Sequence, residues 1–475
     1  MTVSRLTAAI GGILWCFSGI VQANGSVLDD LYGRYENVAS LADQMWELAE
    51  VGYQETKSSA LLQKTLSEAG FKVEAGVAGI PTAFVATYGD SGPVIGILAE
   101  YDALPGINQN RVPMPELVKS KQAGHACGHN LFGAGSVEAA IGIKNWLQRT
   151  GTKGTIRLYG TPAEEGGSGK VYMVRAGLFE DVDFAIHWHP SDKNSAAAQT
   201  TLANRSAKFR FYGVSAHAAG APEKARSALD GVEAMNAMIN MMREHVPQQT
   251  RIHYVITKGG SAPNVVPDFA EVFYYVRHPE VAQVKAIWQR VQAAAEGAAM
   301  GTGTRVETEI IHGNNPVLVN EAMAIAADKQ LATLDGVQYT TEEKAFAETI
   351  YASLDSPILK IGSEKDMQPY SVSLGYGSTD VGDVSMAVPT VGITTATWVP
   401  GTPAHSWQAV AASGMSIGYK GAHLAAKGMA LIAEQLYTDK DLRAAAKAEF
   451  NKKRGDSFVY EALLGDRKPP LDYRK

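Results

Sequence analysis

Val94-Ile95-Gly96-Ile97-Leu98 is an unbroken apolar run of strand length. Comparable β-type runs stand at Ala83-Phe84-Val85-Ala86, Ile156-Arg157-Leu158-Tyr159 and Phe184-Ala185-Ile186, and from Thr390 to Thr395. Stretches with helical spacing separate them, among them Ala134 to Leu147 and Lys170 to Ala176. Strands alternating with helices argue for an α/β fold built on a mainly parallel sheet.

Outward from this core the pattern changes twice. Ahead of it, Leu41, Met45, Leu48 and Ala49 recur at helical spacing, and Leu61, Leu62, Leu66 and Ala69 continue it. Near Arg205 a different order begins. Ala207 to Val214 alternates like a strand, Ala225 to Glu244 reads as a helix, and Ile252 to Thr257 and Phe269 to Val276 read as strands. A helix from Pro279 to Ala298 and a strand from Arg305 to Ile311 complete β-α-β-β-α-β, a ferredoxin-like arrangement. The expected organisation is a catalytic domain of residues 24–204 and 316–475, with residues 205–315 inserted as a second domain. A helix from Ala411 to Leu436 is expected near the end. The charged, Pro-containing tail from Arg454 is expected to wrap the surface.

Of the 475 residues, 45% are hydrophobic and 19% charged, enough apolar material for a sizeable core. That excludes a disordered or fibrous protein, and 47 Gly and 20 Pro without period exclude collagen. A net charge of −6 gives nucleic acid no basic face; the one Lys/Arg run is Lys452-Lys453-Arg454. Residues 1–23 read as a signal peptide: Arg5, then apolar residues from Leu6 to Val21, then the small-residue pattern Val21-Gln22-Ala23. The expectation is an exported protein, periplasmic or secreted, with no membrane anchor after cleavage. Cys127 is then the only cysteine left, so no internal disulfide can form.

The chemistry-bearing motifs sit at strand ends. Cys127 and His129 are one residue apart, so an extended segment would point both the same way. Thiolate and imidazole suit zinc-like ions; a buried thiol beside helix-capping histidines is the plainer alternative. Glu164 and Glu165 follow a strand, between Pro162 and Gly166. Adjacent carboxylates diverge, so one can hold a metal while the other reaches its water; an exposed acidic turn is the alternative. His187 and His189 share a strand face, and His405 lies in a loop before a helix. Together these S, N and O donors exceed one tetrahedral site and suit two ions at the edge where ligands of open α/β sheets gather.

The joint set is specific. It comprises HACGH (125–129), PAEEG (162–166), SAHAA (215–219), Gly259-Gly260, NVVPD (264–268), GSTDVGD (377–383) and GTPAHSWQ (401–408). It resembles the aminoacylase/carboxypeptidase-type dinuclear metallopeptidases, within their amidohydrolase branch and its aminobenzoyl-glutamate type. The resemblance implies a metal-binding catalytic domain with an inserted ferredoxin-like lid/dimerisation domain. It implies two divalent metal ions, zinc or manganese, on Cys127, His129, Glu165, His189 and His405, with His189 chosen over His187 by its spacing from Asp183. It implies Glu164 as general base and acid. It implies His217 as a lid histidine reaching the partner subunit's site, Asn264 and Arg277 as substrate contacts, and Asp102 as support for a metal ligand. The expected partners are a small amide or dipeptide substrate and a second copy through the lid. Glu100 and Asn130 stand where many amidohydrolases have Asp, which points away from the auxin-conjugate and hippurate types. Alternatives are a dipeptidase or carboxypeptidase of other specificity, a cysteine hydrolase using Cys127 with His125 or His129, and a non-catalytic binding relative.

Overall fold

The computed structural model describes residues 25–196 and 198–474. The leader expectation for residues 1–23 lies outside them. No helix among the described residues is long and apolar enough to cross a membrane.

In chain order the main strands are β1 (Lys72–Ala75), β2 (Phe84–Tyr88), β3 (Val94–Ala99), β4 (Thr155–Gly160), β5 (Phe184–Ser191) and β6 (Ser195–Ala196). There follow β7 (Ala203–Tyr212), β8 (Arg251–Lys258), β9 (Phe269–His278), β10 (Arg305–Asn314) and β11 (Thr390–Ala396). The central sheet has seven strands in the order β1-β2-β4-β3-β5-β11-β6. Its four middle strands, β4, β3, β5 and β11, run parallel, and the outer ones are antiparallel.

Apolar side chains cover both faces of this sheet. Ile95, Ile97, Leu158, Ile186 and Trp188 pack on one face with the helices His129–Thr150 and Ser416–Thr438, against Val137, Ile141, Ala425 and Met429. Leu98, Tyr159 and Ala185 pack on the other against Val171, Met173 and Val384, carried by Gly169–Arg175 and Val381–Ala387. Neighbouring residues of one strand feed opposite cores, which is why VIGIL is apolar throughout.

The second sheet is antiparallel, in the order β8-β9-β7-β10. Phe209, Phe211, Val272 and Tyr274 bury against Val232, Met235, Ile287 and Trp288 of the helices Ala228–Met242 and Val281–Thr302. On the opposite face, Arg210 pairs with Glu271 at 2.7 Å and with Glu309 at 2.7 Å. β8 is an edge strand that exposes Tyr254, Val255 and Ile256.

Three elements depart from expectation. β5 does not stop at Ile186: it continues parallel to β11 through the register pairs His187–Gly392, His189–Thr394 and Ser191–Ala396. The helix expected from Ala411 to Leu436 is two, Trp407–Ser413 and Ser416–Thr438. They break at Gly414, whose missing Cβ leaves room for Trp46; a Cβ would lie 2.6 Å from the indole. The tail does more than wrap the surface, since Ala462, Leu463 and Leu464 are buried and Tyr473 and Arg474 reach the loop that carries Glu165.

Candidate metal centre

Each middle strand of the central sheet delivers polar groups from its C-terminal end. Glu100 and Asp102 follow β3, Glu164 and Glu165 follow β4, His189 closes β5, and His405 stands in the loop after β11. Cys127 and His129 come from the start of the helix His129–Thr150. The segment is not extended there. Gly128 takes a left-handed conformation (φ 73°), which turns Cys127 and the first helical residue toward one point. The His405 amide donates to the Ala126 carbonyl at 2.9 Å, locking the two loops together.

The donor atoms form three overlapping groups, each within 4.8 Å: Cys127, His129 and His189; Cys127, Glu165 and His405; and Glu100, His129 and Glu164. The first two share the Cys127 sulfur, which lies 3.5 Å from His189 Nε2. His187 belongs to none of them. Its ring packs where a Cβ on Gly392 would stand, and burial lowers its pKa to about 4.

The backbone at these loops is bent hard. Ala163 (φ 58°), Ser168 (φ 60°) and His405 (φ 61°) are all left-handed without being glycine. Such residues cost on the order of 1–3 kcal/mol each and gather where geometry serves function. The Glu164–Gly167 turn is held by Tyr53, whose hydroxyl donates to the Gly167 carbonyl at 2.6 Å. The buried Glu55 accepts from the Ala163 amide at 2.9 Å.

The supporting contacts fix which atoms stay free. His129 Nδ1 sits 2.9 Å from Asp102 Oδ1, and Asp102 Oδ2 accepts the Glu165 amide at 2.9 Å. That orients the His129 ring and leaves Nε2 as its donor, the carboxylate–histidine arrangement of metal sites. His129 Nε2 lies 3.0 Å from Glu100 Oε2, and His405 Nε2 lies 3.1 Å from Glu165 Oε1. His129 Nε2, Glu100 Oε2 and Glu165 Oε1 are nonetheless buried without a hydrogen-bond partner. Orphaned N and O donors converging beside the Cys127 sulfur fit divalent cations.

Electrostatics agrees with that fit. Burial, then the Glu165 carboxylate, pushes the Cys127 thiol up. Burial, then Glu100 and Glu165, pushes Glu164 well above the usual carboxylate range. Burial would raise Glu100 also, but the Lys170 ammonium and His129 hold it low. Lys170 is fully buried, 2.6 Å from Glu100 and 2.8 Å from Asp380. Too many acids share this space for them all to ionise, and added cations relieve that crowding.

A cavity of about 830 Å³ opens on the cluster. Cys127, Glu164, Glu165, His189 and His405 line it, as does Arg277 from β9. His217 and Asn264 do not. Both are exposed, side by side in the loops at one end of the second sheet, where His217 bridges to Val265.

The model of peptidase family M20/M25/M40 matches residues 96–396, from inside β3 to the end of β11. The chain belongs to this family. It is 40% identical to one of the p-aminobenzoyl-glutamate hydrolase subunits of Escherichia coli, over 87% of this chain and 92% of that one. It is 29% identical to the Xaa-Arg dipeptidase of Mus musculus, over 74% and 75%. Its fold is similar to that of a dinuclear metal-binding peptidase of the M20 family from Bacillus subtilis, with a TM-score of 0.58 and 18% identity, covering 86% of this chain and 99% of that one. This M20 chain is a hydrolase of amide or peptide bonds.

Sequence reasoning left out three members of the site. Lys170 follows a run of glycines and shows no sign of burial in the sequence. Asp380 lies inside GSTDVGD, so that motif pointed at it without giving its role. Arg474 stands far from every motif, beyond the residues that the family model matches.

Proposed function

We propose that this M20 chain is a dinuclear metal-dependent amidohydrolase that cleaves N-acyl amino acids of the aminobenzoyl-glutamate kind into a carboxylic acid and an amino acid. One observation carries the reading. Cys127 and His129 from one loop converge with Glu165, His189 and His405 from three others, and Glu164 stands beside them on the wall of one cavity. These five residues would hold two divalent ions, zinc or manganese; when bound, such ions acidify water and polarise a carbonyl. Glu164 takes the proton of the attacking water at its carboxylate and hands it to the leaving nitrogen. Arg277, whose Nε is buried without a partner, receives the substrate's α-carboxylate.

The lid role of residues 205–315 belongs to the same proposal. His217 does not line the cavity of its own chain, which supports its use in a partner's site as an oxyanion donor. Edge strand β8, with exposed Val255 and Ile256, offers the surface for a second copy. The Escherichia coli relative is named as one of two kinds of subunit, which makes pairing with a different chain the other outcome of a mass measurement in solution. The leader pattern of residues 1–23 supports export.

The test strips the protein with chelator, reloads it with Zn, Mn or Co, and assays N-acyl amino acids and dipeptides. Activity is expected to vanish and return with metal. Glu164→Ala is expected to keep its metal and lose turnover. Metal loss with merely weakened activity would reverse the assigned roles. Full activity after complete chelation would favour a Cys127 nucleophile with His125 or His129 as its base; the 3.5 Å Cys127–His189 contact offers a third partner, and the raised thiol pKa opposes the reading.

A further inference from the structure

The segment from Gly465 to Arg474 is fastened along its length by side chains of the rest of the protein. Arg175 donates to the carbonyls of Gly465 (2.6 Å) and Arg467 (2.8 Å). Arg467 reaches back to β10, donating to the Ile310 carbonyl and, at 2.7 Å, to the Ile311 carbonyl. Gln54 donates to the Leu471 carbonyl at 2.7 Å. The Tyr473 ring sits edge-on to Tyr53 at 5.6 Å. The segment thus arrives at the Glu164–Gly167 turn by a fixed route, and both of its last described side chains donate to one atom there. The Glu165 carbonyl accepts Tyr473 Oη at 3.0 Å and Arg474 Nη2 at 2.8 Å.

Arg474 lines the same cavity as Glu164, Tyr275 and Arg277. A guanidinium carries five N–H donors, and the Glu165 carbonyl takes one. The wall of the cavity formed by β9 and the tail therefore bears two arginines, Arg277 and Arg474, with the Tyr275 hydroxyl in the field of both. An N-acyl amino acid has one α-carboxylate, which the proposed function gives to Arg277. A second cation in the same cavity fits a second carboxylate.

We propose that Arg474 is a specificity-determining residue of this site, binding the side-chain carboxylate of a dicarboxylic amino acid. The inference rests on the amidohydrolase reading for its substrate, but not for its ligand. Planar guanidinium and carboxylate groups match in a two-point fork, which a neutral amide cannot complete.

The experiment has two arms, applied to the wild type, Arg474→Ala and Arg474→Lys as full chains loaded with metal. The first compares kcat/KM on N-benzoyl-glutamate and N-benzoyl-glutamine. Wild type is expected to prefer the glutamate compound, and Arg474→Ala to cut that preference about 10- to 100-fold, mainly through KM. Arg474→Lys, which keeps the charge and loses the fork, is expected between the two. The second arm measures calorimetric binding of glutarate and butyrate. Arg474→Ala is expected to weaken glutarate by a similar factor relative to butyrate. Equal losses on both substrates would reduce Arg474 to a support of the Glu165 backbone and overturn the proposal. So would a glutarate affinity that is absent in the wild type or indifferent to the substitution. A wild type that binds glutarate through Arg474 but hydrolyses no N-acyl amino acid would sink the amidohydrolase reading and leave the carboxylate site standing.

Discussion

Lys170 shows how a single buried charge holds the site together. Its ammonium touches Glu100 and Asp380, its own amide donates to Asp380 Oδ2 at 2.9 Å, and none of these side chains reaches solvent. Removing one partner of a buried ion pair costs about 3–5 kcal/mol, because the charge left behind has lost both water and counter-ion. Lys170→Met is therefore expected to lower the unfolding free energy by that amount in urea titrations. Adding Asp380→Asn should recover part of the loss, since one stranded charge then disappears; additive losses would show that the two residues are not coupled. The residue scale also shows what sequence carries and what it does not. Cys127, Glu165 and His405 stand out only as members of the joint motif set, since each alone has a plainer reading. The burial of Lys170 does not, because a lysine is ordinarily solvated, and only the sheet edge makes it a counter-ion. His187 and His189 share a strand face, so alternation leaves them equal; the resemblance picks His189 by its spacing from Asp183, and in the fold His187 packs beside Gly392 while His189 reaches the Cys127 sulfur.

Among the elements, the junction between the HACGH loop and its helix has the tightest requirement. Gly128 is left-handed, and a Cβ there would lie 2.7 Å from Pro190 Cβ, next to His189. Gly128→Ala must strain the backbone by about 1–2 kcal/mol and push β5 away from the Cys127 loop. The expected result is a modest fall in stability and a fall of about tenfold or more in metal affinity, read by competition with a chromogenic chelator. Unchanged metal affinity would mean that the Cys127–His189 approach has slack. At this scale the strands were legible, because apolar runs of strand length are hard to place elsewhere. Their ends were less so. Pairing to β3 ends at Ile186, yet parallel pairing to β11 alone carries β5 through Pro190 to Ser191. The break at Gly414 answers to Trp46, a contact that joins distant parts of the chain and leaves no local trace.

For the whole molecule, the α/β alternation was legible because both faces of the central sheet are buried, while the path of the tail was not, because its anchors Arg175 and Gln54 lie hundreds of residues away. The same burial sets the response to acid. Burial lowers His125 to about 3, His187 to about 4 and His312 to about 3. Their unfolded value is near 6.5, so the unfolded chain takes up protons that the folded one refuses; their stabilisation is complete above pH ~6.5 and is lost as pH falls toward 3–4. Burial has the opposite consequence for acids, raising Glu55 to about 8 and Asp383 to about 7. Their unfolded values are near 4, so what they contribute is present at pH ~4 and lost as pH climbs to 7–8. Each group changes the slope by about 1.4 kcal/mol per pH unit where its folded and unfolded protonation differ fully. These histidines thus favour folding toward neutral pH, and these acids oppose it there. Metal-free protein should therefore lose the histidines' contribution as pH falls below ~6.5 and the acids' contribution as pH climbs toward ~8. Denaturant midpoints measured in chelator across this range check the shape. Asp383→Asn, which cannot ionise between its Asn315 and Tyr460 contacts, should lessen the alkaline decline by up to about 1.4 kcal/mol per pH unit; a decline of undiminished slope in that variant would show that Asp383 is ionised in the folded protein.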